Sequence, residues 1–393
     1  MSKFIPLSVP NFEGNELNYV HNAVEQGWVS TGGAYITELE EKVAGFLQVE
    51  KAVAVQSGTA AIHLGLIECG VMPGDAVFVP TLTFIAAVNP VRYQFATPIF
   101  VDADDGLCLD PVKLREYCEN ECDFIDGKLL TKDGKHIKAV VVVHVFGNMA
   151  DMEQIMDIAE EYNLKVIEDA TEALGTKYVK GRYAGKYAGT IGDFGAYSFN
   201  GNKIITTGGG GMLVAKNTEA AKHASFLSTQ AKTDPHFYIH DEVGYNYRMT
   251  NVQAALGVAQ MEELPEFIQR KQKNHAYYME QFKDFPGVKM KEYREGVSSN
   301  SWFYALDIDT DKLSIDGRTL IQRLEEKGVG TRLIWGLISE QKPYKDCEST
   351  DLSKARYYAA RVLNIPCSTN ITKEDMDYVV ATIKQVLIGA GLS

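Results

Sequence analysis

The 393-residue chain predicts an α/β fold: a mostly parallel, seven-stranded sheet wrapped by helices, followed by a smaller α+β domain. Three observations carry that expectation. Apolar, β-rich runs alternate with segments of helical apolar spacing, as strands joined by crossover helices do. The length exceeds what one hydrophobic core normally fills, so a large domain plus a smaller one is expected. The chain also changes character at Pro286-Gly287, beyond which the apolar runs are shorter.

In chain order the expected strands are KAVAVQ, AVFVP after Pro73-Gly74-Asp75, PIFVD, AVVVVHVF, KVIEDA, FGAYSF and GMLVA. Between them, AAIHLGLIECG and DMEQIMDIAEEYN space their apolar residues as crossover helices do. Asn120 to Lys138, NECDFIDGKLLTKDGKHIK, interrupts the order; it is charged and carries Asp-Gly turn signals, so a surface hairpin outside the core is expected. TNVQAALGVAQMEELPEFIQRKQKNHAYYMEQF reads as long helices broken near Pro265. Past Pro286-Gly287, WFYALDID and VGTRLIW read as strands and DGRTLIQRLEEKG as a helix. The expected division is residues 1–250 as the large domain and 251–393 as linking helices with the small domain.

Composition removes several function classes. A formal net charge of -13 opposes nucleic acid or anionic membrane as the main partner, because either would meet long-range repulsion. The start, MSKFIPLSVPNFEGN, lacks a signal peptide's charged head and apolar run, and AVVVVHVF is far too short to span a bilayer, so a cytoplasmic protein is expected. The six cysteines are scattered, without CxxC or zinc spacing, which fits free thiols in a reducing compartment. Cys118 and Cys122, in CENEC, have the spacing of one helix face, and no metal site is expected.

In open α/β sheets ligands lie beyond the carboxyl ends of the strands. After KAVAVQ come Ser57, Gly58 and Thr59 and then a helix, which directs N–H groups and hydroxyls at a positive helix end, an anion pocket. Phe84, past AVFVP, supplies an aromatic plate. Asp169 ends KVIEDA, and a buried carboxylate there needs a cationic or proton-bearing partner. After FGAYSF come Ser198 and then Lys203, ahead of the run Gly208 to Gly211. Taken singly these are a helix cap, a core ring, a capping acid and a solvated lysine. Gathered at the strand ends of one sheet, they match pyridoxal phosphate: N–H groups and hydroxyls for its phosphate (Gly58, Thr59, Ser198), an acid for its ring nitrogen (Asp169) and an amine to bond its aldehyde (Lys203). The glycines would admit a bulky ligand beside that amine.

These residues resemble the DegT/StrS-type nucleotide-sugar aminotransferases, fold type I pyridoxal-phosphate enzymes. The resemblance runs along nearly the whole chain, through GWVSTGG, VQSGTAAIHLGL, PTLTFIAAVNPV, HVFGNMADM, VIEDATEALG, GDFGAYSFNGNKIITTGGGGM, GYNYRMTNVQAALG and VGTRLIW. It implies that Lys203 bonds the cofactor, Asp169 partners its ring nitrogen, Phe84 stacks on the ring, and Gly58, Thr59 and Ser198 bind the phosphate. It implies homodimers with shared active sites, in which Asn246 reaches the phosphate of the neighbouring subunit, and it sets residues 1–35 near the active site. It further implies glutamate as amino donor and a nucleotide-linked keto-sugar as acceptor. GWVSTGG and the 120–138 insertion look most similar to members acting at C4 of 4-keto-6-deoxy-2-acetamido sugars on the way to bacillosamine or legionaminic acid.

The chain departs from that pattern at two positions. Glu172 stands where many members have glutamine or histidine, beside the place of the cofactor's ring oxygen; a carboxylate there repels a phenolate unless it is protonated or turned away. Gly209 stands where members often carry glutamate or serine. For the sugar's diphosphate, the candidate cations are Lys177, Lys180, Arg182, Lys186, Arg248 and Arg332. Two rival classes make different demands. A nicotinamide-dependent dehydrogenase or epimerase needs GxGxxG ahead of a helix, and here the glycine run leads into MLVA. A non-catalytic regulator would bind the cofactor without turnover. The carrier nucleotide, uridine or guanosine, is left open.

Overall fold

The computed structural model describes residues 4–234 and 236–392. Its main sheet has nine strands: β1 (Ala52–Val55), β2 (Ala76–Pro80), β3 (Thr97–Val101), β4 (Cys122–Ile125), β5 (Lys128–Thr131), β6 (His136–Val143), β7 (Lys165–Asp169), β8 (Phe194–Ser198) and β9 (Gly211–Ala215). All seven expected runs are in it, in the spatial order β1-β9-β8-β7-β6-β2-β3. The pairs β8/β7, β7/β6, β6/β2 and β2/β3 are parallel, whereas β9 is antiparallel to both β1 and β8. Of these seven strands β9 alone therefore opposes the rest, and the carboxyl ends of the other six share one edge. Their valine-rich runs are buried throughout, as expected of strands covered by helices on both faces.

The structure corrects two expectations. The 120–138 segment does form a hairpin, but it is not detached from the core sheet: β4 pairs with β5, and β5 pairs antiparallel with the start of β6 through Leu129↔Ile137. Leu129 is buried there while Phe124 and Ile125 are exposed, so one apolar side chain in a charged stretch suffices to seat the hairpin. The second correction concerns Pro265, which lies inside one continuous helix, Asn251–Phe282. An interior proline costs on the order of 3 kcal/mol in a helix. Here a capping box at Thr250 and Gln253 closes the start, and the helices Glu16–Glu25 and Ala34–Leu47 pack along the same rod. Buried Leu264 and Phe267 flank the proline and hold the backbone helical through it.

The chain's last third builds a second sheet from β10 (Val288–Met290), β11 (Tyr304–Ile308), β12 (Arg332–Leu333) and β13 (Val362–Ile365), all antiparallel, in the order β10-β11-β13-β12. The start of the chain is stitched to it. Ile5 donates to the Gly328 carbonyl and accepts from the Gly330 N–H, and the Cys367 N–H donates to Leu7. Among the described residues no helix is long and apolar enough to cross a membrane.

Candidate active site

Five of the parallel strand ends meet the second sheet around a cavity of about 250 Å³. β1 runs into Ser57, whose hydroxyl accepts the Ala60 N–H and caps the helix Gly58–Glu68. That helix is buried nearly all round, which fixes its N-terminus at the cavity and leaves first-turn N–H groups without acceptors inside the helix. Gly58 is required by a close approach: a Cβ there would stand 2.8 Å from Thr171 Cγ2 and 3.0 Å from Ser198 Cβ. Its absence lets Ser198, at the end of β8, come up against the helix start. β2 leads to Thr83 and Phe84 on the cavity wall. The glycine run forms a further wall through Gly209 and Gly210, the latter at φ +114°, a conformation that L side chains rarely adopt.

The charged groups lie deep. Asp169, the last residue of β7, is buried, and its Oδ1 accepts the Thr171 N–H at 3.1 Å. Burial pushes its carboxyl above the ordinary range, opposed by Thr171 and by the charge of Lys203. Lys203 Nζ lies 3.6 Å from Glu172 Oε1 and 4.2 Å from the centre of the Trp302 ring, with the side chain 13% exposed. Glu172 Oε2 accepts the Phe146 N–H at 2.8 Å, so the backbone turns one of its oxygens away from the amine. Burial raises this carboxyl too, against the pull of Lys203.

Lys203, Asp169, Gly58, Thr59, Phe84, Glu172 and Ser198 all line the one cavity, with Arg332 opposite. Asn246 does not; it is exposed and forms an isolated bridge with Thr229. Five of the six suggested diphosphate cations are also absent from the lining. Lys180 pairs with Glu295, Arg182 with Asp157 and Arg248 with Glu40, while Lys177 lies over the Tyr187 ring. Lys186 is exposed outside the cavity.

Sequence reasoning missed Trp302 and Trp335, which loops beside β11 and β12 contribute to the wall. Trp302 lies flat on Phe303, with ring centres 3.8 Å apart, and its indole N–H donates to the Asn202 carbonyl one residue before Lys203. The available signal was their rarity, three tryptophans in the chain. Also missed was a buried pair behind Asp169. Because the Ala150 N–H donates to His144 Nδ1, the Nε2–H of His144 donates to Glu168 Oε2 at 2.8 Å. Glu168 further accepts N–H groups of Gly189, Ile191 and Gly192, anchoring the strand that ends in Asp169.

The site fits pyridoxal phosphate on structural grounds. A buried carboxyl open to the cavity suits a cationic ring N–H, a helix start beside two hydroxyl residues suits a phosphate, and a largely buried amine lines the same cavity. Comparison with known proteins agrees over almost the full length: residues 10–384 match the DegT/DnrJ/EryC1/StrS aminotransferase family.

The chain belongs to that family.

As a DegT/DnrJ/EryC1/StrS protein it is a fold type I, pyridoxal-phosphate-dependent aminotransferase. It is 35% identical over 383 residues to GDP-perosamine synthase of Escherichia coli O157:H7, covering 98% of both chains. The GDP-perosamine synthase of Caulobacter vibrioides is 34% identical over 387 residues, again with 98% of each covered. Among solved structures, DesI in the presence of its TDP-sugar product superposes with a TM-score of 0.87 at 27% identity, over 99% of this chain and 95% of that one.

Proposed function

We propose that the protein transfers an amino group from an amino acid, glutamate, to the keto carbon of a nucleotide-linked sugar in bacterial surface-glycan synthesis in the cytoplasm. The observation that carries this reading is the placement of Lys203 and Asp169 in one cavity at the N-terminus of the Gly58–Glu68 helix. When bound, the cofactor supplies a reactive carbonyl and an electron-withdrawing ring. Gly58, Thr59 and Ser198 would hold its phosphate, Phe84 would pack on its ring, and Asp169 would keep its ring nitrogen protonated. Lys203 Nζ would hold it through its carbonyl and would move a proton at the donor's Cα as general base and general acid. Glu172 orients that amine from 3.6 Å, and its Oε2 stays tied to the Phe146 N–H. Residues 1–250 serve as the cofactor domain and 251–393 close it. Asn246 belongs to a second copy's site: it is exposed in a stretch that also exposes Phe237, Tyr238, Ile239 and Val243.

We take C4 of a 4-keto-6-deoxy-2-acetamido sugar as the acceptor, from the resemblance to bacillosamine and legionaminic acid enzymes. The relatives named GDP-perosamine synthase favour a second reading, an acceptor carried on GDP. Purified protein should absorb near about 400 nm, and the band should shift on adding glutamate. Lys203→Arg should lose glutamate exchange by on the order of 100-fold or more. Full exchange in that variant would refute the assignment. A panel of UDP- and GDP-linked 4-keto sugars, with product linkage read by NMR, identifies the acceptor, and reaction with 3-keto sugars alone would overturn the C4 assignment.

A further inference from the structure

Lys271 lies on the long helix Asn251–Phe282 and is only 2% exposed. Its Nζ donates at 2.6 Å to two backbone carbonyls, those of Trp302 and Cys367. Both residues lie just past the end of the β11–β13 ladder. Tyr304 pairs with Ile365, so the same antiparallel register carried two residues further sets Trp302 opposite Cys367. The ladder stops short of them, because Pro366 has no N–H to continue it and Ser301 turns the chain at φ +53°. The two N–H groups are spent elsewhere, that of Trp302 on Asn300 Oδ1 and that of Cys367 on the Leu7 carbonyl. Both carbonyls find their donor in the lysine amine. Burying an amine among carbonyls alone is costly, and burial holds its pKa below the ordinary range. An apolar side chain of the same length would fill the space without that cost, but it would leave both carbonyls without a donor.

We infer that Lys271 is a positioning residue for Lys203: by bridging the Trp302 and Cys367 carbonyls it holds the indole against the reactive amine and fixes the direction from which that amine approaches the cofactor. The inference rests on the aminotransferase reading above, in which Lys203 is the bonding amine. Trp302 is pinned at both ends, its carbonyl by Lys271 and its indole N–H by the Asn202 carbonyl at 2.8 Å. The ring centre therefore stands 4.2 Å from Lys203 Nζ. Lys271 is absent from the lining of the main cavity, but it lies behind the other lysine, and the two share the wall of a second cavity of about 10 Å³. It acts through Trp302 and touches neither cofactor nor substrate. The step it serves is addition of the Lys203 amine to the aldehyde carbon, in which a carbon–nitrogen double bond forms and the aldehyde oxygen leaves as water with two amine hydrogens. Such an attack depends on distance and angle, and a displacement of about 1 Å costs on the order of 10- to 100-fold in rate.

The test separates bonding from binding in the full chain. Cofactor-free protein is mixed with pyridoxal phosphate, and growth of the band near about 400 nm gives the bonding rate. Pyridoxine phosphate, an alcohol in place of the aldehyde, gives the pocket's affinity without a bond. In Lys271→Met the bonding rate should fall about tenfold or more, while pyridoxine phosphate binds within about twofold of wild type. Trp302→Phe, which removes the indole N–H, should slow bonding to a similar extent. The double variant should be no more than about twofold slower than the slower single one, since both changes release the same ring. Leu320→Ala, a core truncation in the helix Gly317–Glu326, is a destabilised control that should bond at the wild-type rate. Equal losses of bonding rate and pyridoxine phosphate affinity, a matching loss in Leu320→Ala, or additive losses in the double variant would overturn the assignment. Lys271→Arg keeps donors on a longer head; it should fall between Lys271→Met and wild type, and it carries the test if the methionine variant does not fold. A wild type that never develops the band sinks the Lys203 reading, whereas a band in the wild type beside unaffected variants sinks this inference alone.

Discussion

Asp169 and Glu172 show how burial and charge compete within one cavity. Both carboxyls are raised because the protein removes their water, and the Lys203 charge offsets this only in part. A raised acid binds its proton more tightly in the folded chain than in the unfolded one. Stability from that protonation is full below the ordinary values of 3.8 and 4.5, and is lost as the pH climbs through the raised ones. The Tm of cofactor-free protein should therefore fall as the pH climbs above those ordinary values, and Glu172→Gln should flatten the slope. An unchanged slope in the variant would show that Glu172 is ionised throughout. In the loaded enzyme Asp169→Asn should slow the glutamate half-reaction by on the order of 100- to 1000-fold, since the ring nitrogen loses its charged partner. Stopped-flow absorbance measures this directly.

The join between β1 and its helix makes a sharper demand. Gly58→Ala puts a methyl group 2.8 Å from Thr171 Cγ2 and 3.0 Å from Ser198 Cβ, so β8 must move away from the helix start. Cofactor affinity should fall about tenfold or more while the main sheet still folds, as equilibrium dialysis with pyridoxal phosphate would show. This join was legible in the sequence, because Ser-Gly-Thr between an apolar run and a helix pattern marks a strand end capped into a helix. So were the seven core strands, whose apolar runs are long and separated by turn signals. Seating of the β4–β5 hairpin was not, since it depends on one buried leucine in a charged segment. The helix through Pro265 was not legible either: local propensity says break, and packing against two helices from the chain's start says continue. Trp302 and Trp335 escaped for a related reason. They enter the cavity from loops beside the strands of another sheet, and no spacing rule links position 203 to 302 or 335.

Asn246 lies outside its own chain's cavity, so the proposed complete site requires two chains. Subunit mixing tests this. Lys203→Ala and Asn246→Ala proteins, each inactive alone, should recover about a quarter of wild-type activity after exchange, because half the dimers are then mixed and each has one intact site. No recovery, with exchange verified by mass spectrometry, would make the site private to one chain. Assembly is constrained in time as well. Lys203 and Asp169 are in place once the first two-thirds of the chain has been made, but their wall comes from Trp302, Arg332 and Trp335. Residues Ile5 and Leu7 find their partners only at Gly328, Gly330 and Cys367. A ribosome adding residues at ordinary speed needs on the order of ten seconds between the lysine and that closing wall. Through that interval the nascent protein carries a reactive amine and bare apolar surface, which gives chaperones, and free pyridoxal phosphate itself, a window to act before the polypeptide is released.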